Sequence, residues 1–223
     1  MKMANCEENA FCASLGEEVR AQLCAQCHRR LVKAGSIQMY EDFERRASLV
    51  IDGIVFISGH VGEDVLGYSD EVPTCYLGVP GRVLSTNVAF RESGGTEEYG
   101  YNSMEYLTDC CVACFDHQVV RRLFGESVEF AHAMMLSALR IMEDGCMMTS
   151  IMRAHSVYLS VSYLVLYLTQ QRAYLTQQQL ATLLNHDRTS VAKALARMKR
   201  ERPQTWEAYC ANKGRPVAIA NPA

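Results

Sequence analysis

The stretch LTQQQLATLLNHDRTSVAKALARMK, Leu175 to Lys199, contains two short segments with helical apolar spacing, separated by only three polar residues. Apolar residues recur at this spacing in both segments: Leu180, Leu183 and Leu184 in the first, and Val191, Leu195 and Met198 in the second. Asn185 tolerates the left-handed backbone of a tight inter-helix turn, and Asp187 can cap the next helix by accepting from the Ser190 amide. The pattern predicts a helix-turn-helix, with helices from Gln177 to Leu184 and from Arg188 to about Arg200.

The second predicted helix displays side chains that suit DNA recognition. Arg188 can donate two hydrogen bonds to guanine, Thr189 can meet a thymine methyl group, and Lys193 can reach guanine or phosphate. Arg197 lies on the same predicted face. Four polar residues are suited to phosphate contacts that fix the register without reading sequence: Thr176, Gln177, Gln178 and Ser190. A structural helical hairpin without a DNA role is the alternative interpretation.

The charge of the chain is unevenly distributed. Residues 172–223 contain nine Lys or Arg and three Asp or Glu, a net charge of +6. Because the whole chain has a net charge of −3, residues 1–171 carry −9. An acidic body with a basic C-terminal segment is typical of a nucleic-acid-binding module joined to a separate domain. An ordinary solvated basic face is the alternative.

The bulk composition indicates a globular protein. The 223 residues are 49% hydrophobic and 21% charged, and no apolar run is long enough to span a membrane. We therefore expect a cytoplasmic protein with no membrane partner. The chain has no nucleophile elbow, P-loop or H-E-x-x-H motif, and the predicted roll offers only His60 where a cupin-like metal enzyme needs paired histidines. We therefore predict no enzyme activity.

The N-terminal half changes from helical to strand-like patterning. Residues Gly16 to Arg30 have helical apolar spacing, whereas short β-rich runs separated by Gly, Pro, Asp and Ser follow from Lys33 to Phe115. Asp52-Gly53 lies between two apolar runs and predicts a hairpin. The spacing favours a compact antiparallel roll or barrel.

The pattern is helical again after Asp116. Val120 to about Asp144 predicts a long helix with apolar residues on more than one side, with a possible interruption near Asp144-Gly145. Such a helix needs a second partner, and the symmetry mate in a homodimer is the economical one. Burial of the whole helix within one chain is the alternative. The predicted domains are 1–119, an effector-sensing roll; 120–148, a dimerisation helix; and 149–223, a DNA-binding domain.

The order of these segments resembles the Crp/Fnr family of bacterial transcription regulators over nearly the whole chain. The stretches that carry the resemblance are FCASLGEEVRAQL, VKAGSIQMYED, LVIDGIVFISG, VPGRVLSTNVAF and HDRTSVAKAL. It implies an α+β fold with an antiparallel β roll like a cyclic-nucleotide-binding jelly roll, a long dimerisation helix and a winged-helix-like helix-turn-helix domain. It also implies a homodimer that binds a palindromic operator in double-stranded DNA under control of a small-molecule effector in the roll. RNA polymerase is an expected partner if the protein is an activator.

The effector site departs from the family pattern. Members that bind cyclic AMP carry Gly-Glu after a Pro-Gly turn and Arg-Ser-Ala in the next strand, and the aligned positions here read Ser85-Thr86 and Gly100-Tyr101-Asn102. A phosphate needs a cation and backbone amides around it, so the residues argue against cyclic AMP in the usual mode. Arg82 and Arg91 lie nearby in the sequence, so a different anionic effector is an alternative. The candidate effector residues are Arg82, Ser85, Thr86, Tyr101 and Asn102.

The cysteines support a rival function. Cys24-Ala25-Gln26-Cys27-His28 matches the C-x-x-C-H signature for c-type haem, which would make the protein an electron carrier or haem sensor. An iron–sulfur sensor is a further alternative, with N-terminal cysteines and a distant partner as ligands; the candidates are Cys6, Cys12, Cys24, Cys27, Cys110, Cys111 and Cys114. Non-covalent haem through Cys75, His60 or His117 is the remaining option. The leading metal candidates are Cys24, Cys27 and Cys114; buried thiols that act as small apolar residues are the commoner case.

The C-terminal tail departs from the family wing. Pro203 should end the recognition helix, and only Val217 to Ala220 reads as a strand.

Overall fold

The computed structural model describes residues 9–39, 46–60, 73–85 and 102–214. The chain divides into two compact units, Met1–Gly145 and Cys146–Ala223. The elements described before residue 157 are α1 (Ala10–Ala13), α2 (Glu17–Ala25), β1 (His28–Val32), β2 (Ile37–Met39), β3 (Arg46–Asp52), β4 (Val55–His60), β5 (Pro73–Gly78), β6 (Val83–Leu84), β7 (Asn102–Tyr106), β8 (Cys110–Asp116), α3 (His117–Glu126) and α4 (Val128–Met152).

The strands form two four-stranded antiparallel sheets, in the orders β1-β8-β3-β6 and β2-β7-β4-β5. In the first sheet, β3 and β8 are buried on both faces, because their alternate residues enter different cores. Leu49 and Phe115 pack with residues of the helices, whereas Val50 and Val112 pack with the second sheet. The continuous apolar run of β8, with six consecutive buried residues, follows from this middle position.

The Asp52-Gly53 turn does not form the predicted hairpin. β3 pairs with β6 and β8, while β4 pairs with β5 and β7, so the turn passes the chain from one sheet to the other. Gly53 has φ +96°, and a Cβ there would lie 2.8 Å from the carbonyl oxygen of Asp109. Glycine is therefore required by both the backbone conformation and the close approach. A turn does form at Asp52-Gly53, but the prediction of a hairpin is wrong, because the strands on either side belong to different sheets.

The predicted helix from Gly16 to Arg30 is too long. α2 ends at Ala25, and β1 then pairs with β8 from His28 opposite Cys114 to Val32 opposite Cys110. The backbone groups of β8 need this partner on one side, and that long-range demand overrides the local helical spacing of residues 28–31.

The predicted long helix is divided at Ser127 and not near Asp144-Gly145. Ser127 has an extended backbone, and its hydroxyl accepts from the amide of Phe130 at the start of α4. α4 then continues unbroken through Gly145 to Met152. Gly145 packs beside β5, since a Cβ there would lie 3.9 Å from the carbonyl oxygen of Cys75. Glycine within a helix lowers its stability by about 1 kcal/mol relative to alanine, yet α4 is not interrupted at this residue.

The second unit is helical in its described part. Its elements are α5 (Val157–Gln170), α6 (Gln177–Leu183), α7 (Arg188–Glu201) and α8 (Pro203–Cys210). The predicted helix break at Pro203 is confirmed, since α7 ends at Glu201, but the chain then forms α8 with Pro203 in its first turn, which the sequence patterns did not predict. The expected strand Val217–Ala220 lies outside the described residues. No helix among the described residues is long and apolar enough to cross a bilayer.

Candidate nucleic-acid interface

The first helix of the helix-turn-helix, α6, begins with a reciprocal cap. The hydroxyl of Thr176 accepts from the amide of Gln179 at 3.3 Å, and the Gln179 side chain accepts from the Thr176 amide at 2.7 Å. Two amides that lack partners within the helix are thereby satisfied. The Thr176 hydroxyl, a predicted phosphate contact, serves this cap in the structure.

The turn between α6 and α7 has the predicted geometry. Asn185 has φ +50°, in the left-handed region, and the His186 amide donates to the carbonyl oxygen of Ala181 at 3.0 Å. Asp187 accepts from the Ser190 amide at 2.8 Å and so caps α7. Hydrogen bonds from Ser190, first from its side chain and then from its amide, lower the pKa of Asp187. The carboxylate is therefore ionised where it faces the positive end of the helix dipole.

α7 buries one side and exposes the other. Val191, Leu195 and Met198 are buried, whereas Arg188, Thr189 and Lys193 are exposed, and Ser190 is partly buried beside the cap. Gln178 on α6 is also exposed. The arrangement presents two cations and a hydroxyl from the first two turns of one helix, where base edges can be reached in a major groove.

Arg197 lies on the same helix but is held by neighbours in its own unit. Its Nε donates to Glu201 at 2.8 Å, and its guanidinium lies 4.0 Å from the ring centroid of Tyr158 on α5. The Tyr158 hydroxyl donates to Glu201 at 2.9 Å, which closes a three-residue network. The hydrogen bond to Glu201 raises the pKa of Arg197. Tyr158 was missed by the sequence reasoning, since nothing local marks a residue 39 positions before Arg197.

Gln177 joins the two helices of the motif. Its Nε2 donates to the backbone carbonyl oxygen of Arg188 at 2.9 Å. The sequence interpretation assigned Gln177 to phosphate, whereas the structure directs its amide nitrogen at the start of α7.

The candidate effector residues are only partly described. Arg82 is buried and forms an ion pair with Asp144, with 2.7 Å between Nε and Oδ2. Ser85 is buried with φ +61°, and Asn102 is the first residue of β7. Thr86 and Tyr101 lie outside the described residues, as does Arg91.

The leading cysteine candidates differ in exposure. Cys24 is exposed, Cys27 is partly buried against the core with its Sγ 3.4 Å from the Cys24 carbonyl oxygen, and Cys114 is buried 3.5 Å from the Ser48 hydroxyl. Burial raises the pKa of Cys110 to about 11. Within the described ranges, no group of three or more His, Cys, Asp or Glu side chains is placed to hold a metal ion. Cys6 lies outside those ranges.

Solved structures with a similar fold are known. A protein from Eubacterium rectale described as a transcriptional regulator of the Crp/Fnr family matches with a TM-score of 0.57 and 13% identity, covering 87% of this chain and 88% of that one. CLP from Xanthomonas campestris, described as a c-di-GMP-responsive global regulator, matches at 0.55 and 16%, covering 93% and 100%. FixK2 from Bradyrhizobium japonicum matches at 0.55 and 13%, covering 87% and 93%.

No protein-family model and no curated protein matches the chain. The structural matches confirm the predicted α+β class, with an antiparallel β roll, a long helix and a helical C-terminal region in that order. This chain therefore has the fold of the Crp/Fnr transcription regulators.

Proposed function

We propose that this chain is a DNA-binding transcription regulator that acts as a homodimer on a palindromic operator. The observation that carries the proposal is the capped helix-turn-helix, whose second helix exposes Arg188, Thr189 and Lys193 together. The net charge of +6 after residue 171 favours the approach to phosphate. In this proposal Arg188 reads a guanine, Thr189 and Lys193 contact neighbouring positions, and Gln178 and Ser190 contact phosphates.

The homodimer is supported by a stripe of exposed residues on α4, here called the α4 stripe. It consists of Val128, His132, Met135, Leu139, Met142 and Cys146, which follow one another at alternating intervals of four and three residues. Met142 is 66% exposed. Such spacing is that of a coiled-coil seam, and a second copy of α4 offers the same seam in return. The proposed dimerisation segment is 120–148, between a sensing part, 1–119, and a DNA-binding part, 149–223.

The proposed mechanism is a change in the separation of two recognition helices. An effector controls the dimer only if it binds one arrangement more tightly than another. Two copies of α7 enter successive major grooves only when they lie about 34 Å apart, one turn of DNA. Occupancy of the effector site would therefore set the affinity of the dimer for the operator.

The test is selection of binding sites from a pool of random duplexes with the purified full-length protein. The expected result is an inverted repeat whose half-site centres are about 10 base pairs apart. The affinity for the selected site should fall steeply between low and moderate salt, because phosphate contacts release counterions. Failure to enrich any inverted repeat, or an affinity that does not change with salt, would contradict the proposal.

A further inference from the structure

Arg82 and Asp144 form a buried ion pair that joins the roll to α4. The two residues are 8% and 4% exposed. The guanidinium approaches the carboxylate through two nitrogens, Nε to Oδ2 at 2.7 Å and Nη2 to Oδ1 at 3.4 Å. Buried charges are tolerated only when they are paired with good geometry, so each residue requires the other.

The backbone around Arg82 is held by hydrogen bonds within the roll. The carbonyl oxygen of Arg82 accepts from the Val50 amide at 3.0 Å, and its own amide donates to the carbonyl oxygen of Val79 at 3.1 Å. Gly81, with φ +88°, donates to the Val50 carbonyl oxygen at 2.9 Å. The turn thus fixes the backbone from which the Arg82 side chain reaches Asp144 on α4.

A further hydrogen bond holds the same face of α4 against the roll. The Val83 amide donates to the hydroxyl of Ser137 at 2.9 Å, so β6 obtains a partner from the helix. Burial, and secondly the negative charge of Asp144, raise the pKa of Tyr76 on β5. Ser137 and Asp144 are seven residues apart and therefore lie on one side of the helix.

We propose that the carboxylate of Asp144 is a built-in ligand of the roll, which fills the anion site that Arg82 would otherwise offer. A carboxylate on a guanidinium makes the same charge-assisted hydrogen bonds as an anionic ligand does. The ion pair therefore holds α4 against β6 with no small anion bound. The inference goes beyond DNA binding and does not depend on it.

Removal of Asp144 should create a binding site for small anions. The variant is Asp144→Ala in the full-length chain, and the probe is inorganic phosphate, titrated at constant ionic strength against chloride. A ligand that binds only the folded state raises the unfolding temperature, so Asp144→Ala should gain a saturable increase of several degrees that wild type lacks. Glu143→Ala removes the same charge from the exposed neighbouring position and should behave as wild type does. The double variant Arg82→Met/Asp144→Ala should lose the response.

The proposal is overturned if phosphate stabilises wild type as much as Asp144→Ala, or if neither responds. Should Asp144→Ala not fold, Arg82→Met and Arg82→Met/Asp144→Leu decide the matter. Replacing both ions should leave the protein about as stable as wild type, whereas Arg82→Met alone leaves a buried unpaired carboxylate and should unfold several degrees earlier. Equal stability of Arg82→Met and wild type would also contradict the proposal. None of these readouts uses DNA, so their failure and the failure of operator binding are distinguishable.

Discussion

The side-chain nitrogen of Gln177 donates to the backbone carbonyl oxygen of Arg188 at 2.9 Å, across the turn of the helix-turn-helix. The first helix therefore holds the first residue of the second helix by a direct hydrogen bond. Since Arg188 is the proposed base-reading residue, the bond links the position of its main chain to α6. We therefore expect Gln177 to act as a positioning residue in the proposed interface.

Replacement of Arg188 by Ala should weaken operator binding by about 1–3 kcal/mol and relax the preference at one base pair in each half-site. The physical reason is the loss of a bidentate contact to guanine, which discriminates between bases. Competition binding against operators substituted at each position measures both effects. An unchanged preference at every position would show that Arg188 does not read sequence.

Replacement of Gln177 by Ala should relax the preference at the same base pair that Arg188 reads. Because both changes act through one contact, the double variant should lose less than the sum of the two single losses. Gln178→Ala is the matched control: it removes an exposed neighbouring amide, and its loss should be uniform across operator sequences. If Gln177→Ala also lost affinity uniformly across operator sequences, Gln177 would be assigned to a phosphate contact instead.

Replacement of Met142 by Glu should convert the proposed homodimer to a monomer. The change places a charge within the α4 stripe, where a partner helix would bury it unpaired. Light scattering after size exclusion measures the mass. Ala138→Glu, at an exposed position beside the stripe, should remain dimeric. A wild-type protein that is monomeric at all concentrations would refute the dimer directly.

Replacement of Tyr209 by Phe should destabilise the second unit by about 1–3 kcal/mol, because a buried hydrogen-bonding pair is left unsatisfied. The Tyr209 hydroxyl donates to the carbonyl oxygen of Leu175 and accepts from its amide, which ties α8 to the residue before the α6 cap. Urea unfolding gives the change in free energy. Tyr163→Phe, at a residue 48% exposed, should change it little.

Thiol labelling at pH 7 should modify Cys24 and Cys146 well before Cys110. The first two are exposed, whereas burial raises the pKa of Cys110 to about 11. A thiolate is the reactive form, and at pH 7 only about one Cys110 in ten thousand would be ionised. The labelling of Cys110 should therefore accelerate as the pH rises towards 11. Peptide mapping by mass spectrometry follows each site, and equal rates in the folded protein would contradict the assignment; equal rates are expected in urea.

The elements that could be predicted from the sequence are those whose determinants are close together in it. The apolar spacing, the left-handed Asn185 and the Asp187 cap all lie within the 25 residues 175–199, and the structure contains each of them. The class of the N-terminal fold, an antiparallel roll, could also be predicted, because short β-rich runs and the turn residues between them are local features of the sequence.

The remaining features depend on residues that are distant in sequence. β1 is a strand because β8 lies beside it, and nothing in residues 28–32 indicates that partner. The Arg82–Asp144 pair spans 62 positions, so the sequence around Arg82 predicts a cation for an effector and does not indicate its partner. The Arg197 network and the bond from Tyr209 to Leu175 depend likewise on tertiary packing.

The second stripe of α4, which faces the roll, repeats with the same period as the exposed one. Its buried members include Phe130, Ser137 and Asp144, which follow one another at intervals of seven residues. A seven-residue repeat drifts by only about 20° per heptad around a straight helix, so over these two heptads the buried and exposed stripes stay on separate sides of α4. In the proposed dimer, turning α4 about its own axis would displace both sets of side chains through one angle. In that dimer, rotation of α4 about its axis would transmit a change in the roll to the interface between the two protomers.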